Sequence, residues 1–399
     1  TFALFLTCTF AIALVTVPRA QSSQRTGSRA SASAAAKVHA ANAPAGGADK
    51  APLSADVFEK HKSYGTHFET SDRCFPCHNG ITSSSGEDLS IGISWRTSMM
   101  GNSGRDPYWM AGVRRELTDH PMASALIQDE CTICHMPMMR YEAKLAGGEG
   151  DAFGHIPPDL TKLADRLADD GVSCTVCHQI TPTNFGQRDS FIGGFKVDEK
   201  TPAGERPVYG PFQIDKGLTR LMHSSSAFLP AEGVHIQSSA LCATCHTLYT
   251  QALDSAGKVV GELPEQVPYQ EWLHSDYKTT RSCQACHMPA VNEDVPVSSA
   301  FGEPRQGLSR HTFVGGNFFM QRLLGRFRGE LAVPAETQEM DAAAARTVRH
   351  LQDESAEVTI PRIDIRDGQL SATVAIHNRG GHKLPTAYPS RRVWLHVTV

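Results

Sequence analysis

The chain has 399 residues, with 38 Lys and Arg against 42 Asp and Glu and a formal net charge of −4. That balance excludes a basic nucleic-acid-binding surface as the organising feature. The unusual entries in the composition are 11 Cys and 18 His, whose positions decide what the protein can hold.

Residues 1–20, TFALFLTCTFAIALVTVPRA, read as the apolar core and tail of a secretory signal, with cleavage expected after Ala20. There is no initiator Met and no basic segment ahead of the apolar run, so the signal reads as N-terminally truncated. No other stretch is long and apolar enough to span a bilayer. Residues 21–54 are rich in Ala, Ser and Gly without apolar periodicity, the composition of a disordered linker that cannot bury a core.

From residue 55 to about 319 one pattern recurs: CFPCH at Cys74–His78, CTICH at Cys131–His135, CTVCH at Cys174–His178, CATCH at Cys242–His246 and CQACH at Cys283–His287. A shuffle of this composition would produce roughly 0.01 such strings. Ten of the eleven cysteines lie in the five motifs; the eleventh, Cys8, lies in the apolar N-terminal run. A disulfide scaffold would show other spacings, and zinc knuckles need no His after each pair. C-x-x-C-H is the attachment signature of c-type haem. Two thiols add across the vinyl groups of one porphyrin, and the next residue falls beneath the iron as proximal ligand. Five covalently attached c-type haems are therefore expected, on Cys74, Cys77, Cys131, Cys134, Cys174, Cys177, Cys242, Cys245, Cys283 and Cys286. The proximal ligands are His78, His135, His178, His246 and His287. Such haems are attached outside the cytoplasm, which places the protein in the periplasm or outside the cell.

Between the motifs run Gly/Pro-rich loops and short helical patterns, among them 106–130 and 157–171, with Asp159 as a possible cap of the second. The macrocycles must supply the buried apolar mass that so many loops cannot, so the fold class expected is mainly α with extensive loops. Residues 320–355 read as a helical connector, with Pro334 near a first turn. From 356 to 399 the period changes to two, in AEVTI, LSATVAIHN and RRVWLHVTV with the turn RDGQ between the first two, as in a truncated β-sandwich-like segment. Two echoes stand out: CHMP at the second and fifth motifs, expected to mark a shared environment, and W-x-x-S at Trp95 and Trp272.

Sixth ligands must come from elsewhere in the chain. His274, nine residues before Cys283 beside a Trp, is the first candidate. His311, with glycines close behind it, follows, then His382 in a Gly-rich loop ending in Pro, and His223, His120 and His67. His61, His155 and His235 rank lower; His39 reads as a linker bystander, His350 as exposed on an Ala-rich helix, and His377 and His396 as strand residues.

The five motifs, together with YQEWLHSDY…CQACHMP, RHTFVGG and GGHKLPT…RRVWLHVTV, resemble the multihaem cytochrome c superfamily, in particular the cytochrome c-554-like proteins, over roughly residues 70–399. The resemblance implies closely stacked haems that pass electrons, with distal histidines from remote segments, and it favours His274, His311 and His382. It also implies a thioether candidate for the first haem, Met100, which ends WRTSMM where similar proteins carry a distal His, with Met99 as fallback. The expectation is an exported pentahaem electron carrier whose partners are redox proteins, with no nucleic acid. Membrane association through other subunits and self-assembly are further candidates. Two alternatives stand beside it: a multihaem reductase of a small nitrogen or sulfur oxyanion, and a subunit of an extracellular cytochrome filament. A pentahaem nitrite reductase typically carries C-x-x-C-K at its catalytic haem, and no such motif occurs here.

Overall fold

The computed structural model describes residues 67–398. Cys8, His39 and His61 lie outside the described residues, as do the signal and linker segments. The chain divides into two units, Thr1–Ser63 with Val358–Ala375, and Tyr64–Glu357 with Ile376–Val399. Among the described residues no helix is long and apolar enough to cross a membrane.

The larger unit is mostly short helices. Helix α1 (Phe75–His78) carries the first motif and α2 (Ile91–Arg96) packs beside it. The 106–130 pattern forms two helices, α3 (Pro107–Asp119) and α4 (Ser124–His135). Asp106 caps α3 by accepting from Tyr108 N–H at 2.9 Å, and Pro121, which cannot continue a helix, separates the two. Helix α5 (Pro137–Leu145) follows at once. The 157–171 pattern forms helix only at α6 (Leu163–Asp169), with Lys162 at the cap position. Asp159 does not cap it: its carboxylate is turned onto Thr161 N–H and hydroxyl, at 3.1 and 2.6 Å.

Helix α7 (Cys174–Gln179) carries the third motif. Strand β1 (Pro207–Gly210) pairs in parallel with β2 (Leu229–Glu232), and α8 (Lys216–Ser226) connects them. Helix α9 (Ser239–Ala243) opens the fourth motif, followed by the hairpin β3 (Leu248–Leu253) and β4 (Val259–Gln266). Helix α10 (Pro268–Leu273) precedes α11 (Cys283–His287), the fifth motif.

The connector is two helices, α12 (Phe318–Arg326) and α13 (Thr337–Glu354), packed on each other. Pro334 lies ahead of α13 rather than in its first turn. The start is set instead by a capping box in which the Glu336 side chain and the Glu339 side chain satisfy each other's backbone N–H groups.

The 356–399 region forms one hairpin, β5 (Ala356–Arg366) and β6 (Gln369–Asn378). Its turn has Asp367 at φ 51° and Gly368 at φ 74°, the left-handed pair that a two-residue hairpin requires. RRVWLHVTV is not a strand over its described residues: Val393, Trp394 and Val397 are exposed, and so is His396. An isolated alternating segment without a paired edge has no ladder to join.

The core of the larger unit is not one mass. Four separate clusters are buried, around Phe68, Val113 and Met138; around Ile81 and Leu308; around Ala243 and Tyr269; and around Leu324 and Met340. A domain of this size normally has one contiguous core. Here members of the first three clusters line one cavity, and Met99, packed against the fourth, lines it too.

Candidate functional site: one cavity lined by five motifs

The cavity has a volume of about 2360 Å³, several times the roughly 300–1,000 Å³ of an ordinary ligand pocket. All ten motif cysteines and all five motif histidines line it. The ten thiols are free and half-buried. Burial pushes the Cys131 and Cys177 thiols up to about 12, so both stay protonated.

Each motif is a single helical turn. His78 N–H donates to Cys74 carbonyl at 3.0 Å and His246 N–H to Cys242 carbonyl at 2.9 Å. This turn brings two thiols and one imidazole to the same side. Around the first motif, Gly92 lies against the Phe75 ring so closely that a Cβ there would come within 2.2 Å of it, so only glycine lets α2 approach.

Four of the imidazoles are oriented alike. Nδ1 of His78 bonds Val297 carbonyl at 2.7 Å, that of His135 bonds Ser103 carbonyl at 3.0 Å, that of His178 bonds Tyr209 carbonyl at 2.6 Å, and that of His287 bonds Val314 carbonyl at 2.5 Å. A carbonyl only accepts, so Nδ1 carries the proton and Nε2 keeps its lone pair. That is the tautomer and the second-shell arrangement of a metal-ligating histidine. Burial lowers the pKa of all five motif histidines, that of His135 to about 4, so each is neutral at neutral pH. Among the described residues His246 has no carbonyl partner of this kind.

The motifs also meet one another. The Cys174 thiol is beside that of Cys74 and the Cys242 thiol beside that of Cys283, and Cys134 Sγ donates to the Cys245 carbonyl at 4.0 Å. Cys177 lies near Cys245. The first motif is therefore beside the third, the third beside the fourth, and the fourth beside both the second and the fifth. No group of three or more His, Cys, Asp and Glu among the described residues could hold a bare metal ion.

Two motif histidines face a second imidazole. The ring centroids of His178 and His311 are 6.3 Å apart with 18° between planes, and those of His287 and His382 are 6.3 Å apart with 17°. Two imidazoles bonded to one metal from opposite sides, at about 2 Å per bond and about 1 Å from nitrogen to centroid, would have centroids about 6 Å apart. His311 is half-buried on the cavity wall, and burial lowers its pKa to about 4. His350, expected on an exposed face, is half-buried, lines the cavity and lies 6.1 Å from His287, at 54°. The Ala-rich face of α13 that carries Ala343 and Ala344 is packed inward, which draws His350 in with it. His135 has a different companion: the Trp109 indole stacks on it at 4.4 Å and 5°.

Of the remaining candidates, His120 and Met100 line the cavity, as does Met99, although Met99 also packs against Leu324, Val333 and Met340. His274 does not line it. It lies exposed at the end of α10, where its Nδ1 reaches back to the Gln270 carbonyl at 2.8 Å. His223 Nε2 is bound to Gly204 carbonyl at 2.5 Å, and His235 Nε2 to Ile180 carbonyl at 2.9 Å. His67 stands beside Glu142, and His155 is paired with the buried Asp165 at 2.7 Å. All four are outside the cavity lining, and His377 is exposed on β6.

The two echoes have different outcomes. In both CHMP strings the Met backbone is nearly identical, φ −135° and ψ 52° at Met136, φ −135° and ψ 60° at Met288. Their histidines nevertheless have different companions, an indole and an imidazole. The weaker W-x-x-S echo is the stronger structural one. Trp95 Nε1 donates to Val172 carbonyl and Trp272 Nε1 to Arg281 carbonyl, each at 2.9 Å. Each acceptor stands two residues before the first cysteine of a motif, the third and the fifth. These are the motifs whose histidines face a second imidazole.

No family model, curated protein or solved structure matches the chain.

Proposed function

We propose that the protein is an exported pentahaem c-type cytochrome that carries electrons between redox partners. The observation that supports this best is the convergence of five C-x-x-C-H turns on one cavity, with four imidazoles presenting a bare Nε2 to it. When bound, the five covalent haems would supply one-electron chemistry at iron. The chain's own work is to position them and exclude water. Cys74 and Cys77, and the equivalent pairs at 131/134, 174/177, 242/245 and 283/286, would anchor them. His78, His135, His178, His246 and His287 would be the proximal ligands, with His311 opposite His178 and His382 opposite His287. The backbone carbonyls of Val297, Ser103, Tyr209 and Val314 fix the imidazole tautomer and strengthen its basicity. The neighbouring Cys74 and Cys174, and Cys242 and Cys283, would keep the first and third and the fourth and fifth sites adjacent, as electron passage over short gaps demands.

Intact-mass analysis of protein produced with the haem-attachment machinery tests the cofactor content, and five haem masses are expected. The EPR spectrum of the oxidised protein tests the role. Low-spin signals alone fit a carrier, whereas a high-spin ferric signal with nitrite turnover would favour the oxyanion reductase.

A further inference from the structure

Several arginines withdrawn from solvent in this fold have a carboxylate. Buried Arg105 pairs with Asp169 at 2.6 Å, and half-buried Arg96 and Arg140 pair with Glu339 at 2.5 Å and Asp129 at 2.9 Å. Two half-buried arginines on the cavity wall do not. Arg391 is half-buried, and its Nη2 donates to the neutral Asn317 amide oxygen at 2.9 Å. Its guanidinium rests on Gly316, where a Cβ would come within 2.9 Å of Nη1. Its charge is felt by His246, and burial alone depresses its own pKa. Arg305 places its guanidinium 5.3 Å from the Phe212 ring and donates from Nη1 to Gln213 carbonyl at 3.3 Å; its Nε is buried without a partner. Neither has a carboxylate partner among the described residues, and both line the cavity.

A guanidinium withdrawn from water without a counter-charge is strongly unfavourable, and its planar donor fork matches a carboxylate. Half-buried on the cavity wall with no carboxylate partner among the described residues, both guanidinium groups are placed to take an anion carried by what fills the cavity. We propose that Arg391 and Arg305 bind propionate carboxylates of the attached haems. Arg391 serves a haem on the wall between the fourth and fifth motifs, since it rests on Gly316, two residues from the Val314 carbonyl that holds His287, with His246 also near. Arg305 serves the haem of the first motif, since its backbone pairs with Val295, two residues from the Val297 carbonyl that holds His78. The inference rests on the haem reading. Its consequence is electrostatic: each guanidinium favours the reduced, less positive iron and raises the potential of its own haem.

The test uses holoprotein carrying five haem masses, in the parent and in Arg391→Gln, Arg391→Lys and Arg305→Gln. Spectroelectrochemical titration should show one of the five steps shifted to lower potential in Arg391→Gln by about tenfold in its equilibrium, about 59 mV for one electron. Arg391→Lys should leave that step near its parent value, and Arg305→Gln should lower a different step. Unchanged steps in both Gln variants would overturn the proposal. It is also overturned if millimolar nitrite or sulfite perturbs the parent spectrum but not that of Arg391→Gln, because the guanidinium would then serve a diffusible oxyanion. If Arg391→Gln does not accumulate, Arg305→Gln decides by the same criterion. A parent lacking five haem masses would instead refute the haem reading itself.

Discussion

His311 and His382 reach their partners from loops far along the chain, and each is the residue whose loss should be most visible at a single site. On the haem reading, His311→Ala and His382→Ala each convert one low-spin ferric haem to high-spin, leaving the other four signals unchanged; a spectrum identical to the parent would remove that residue from the ligand set. Trp109 acts by packing. It is buried, stacked on His135 and surrounded by the largest apolar cluster, so Trp109→Ala should destabilise the holoprotein by about 3–5 kcal/mol, measured by denaturant unfolding. Asp170 gives a pH signature. Burial raises its carboxyl to about 7 although it accepts from the Ser71 N–H and hydroxyl. A carboxyl with a raised folded pKa binds more protons in the native state than in the unfolded one between its two pKa values. Its contribution to stability therefore falls as pH rises from about 4 to about 7. Asp170→Asn should remove that fall, so its melting temperature should gain on the parent's across this window; a constant difference would show that Asp170 is not the titrating group.

At the scale of elements, the motif turns and the Asp367–Gly368 hairpin turn were legible because each follows a local rule. The break at Pro121 was missed, because apolar spacing runs on through 106–130 on both sides of it. The start of α13 was misplaced because Pro334 is a strong local signal, while the true start depends on Glu336 and Glu339 acting together. Glu339 also accepts from Arg96 on α2, at 2.5 and 3.0 Å. Glu339→Ala removes both a capping interaction and this half-buried pair, with an expected loss of about 1–2 kcal/mol. Thermal unfolding of the holoprotein checks it, and a loss no larger in Glu339→Ala than in Arg96→Ala would mean the capping box contributes nothing. The ligand candidates show the limit of local reading. His274 sits beside a Trp and just before a motif, yet that proximity lets it satisfy its own helix's carbonyl. His382 and His350 come into range of His287 only through tertiary packing, and no spacing along the chain encodes that.

For the molecule as a whole, the four separated apolar clusters have no common centre of their own. Protein made without haem attachment should therefore lack a cooperative thermal transition, as metal-dependent small domains do without their metal; a sharp two-state melt of haem-free chain would contradict it. The alternating 391–398 segment belongs to the same scale. Its pattern fits a strand, but pairing is a property of what lies alongside, and a period of two cannot supply the neighbour.

The indole clamps of Trp95 and Trp272 bear on the order in which the molecule can be made. A chain threaded through a membrane emerges N-terminus first. Trp272, Arg281 and the fifth motif come out nearly together, but Trp95 must wait for Val172, and the third motif must then wait for His311. On the haem reading, that iron passes a long interval with one face open before its last ligand arrives, exposed to any competing thiol or amine. The site that closes last along the chain, His382 against His287, is also the one with a second imidazole, His350, close at hand. Errors in maturation should thus concentrate at the third and fifth attachment sites, and a trapped export intermediate ending before residue 311 is where such misligated iron would be found.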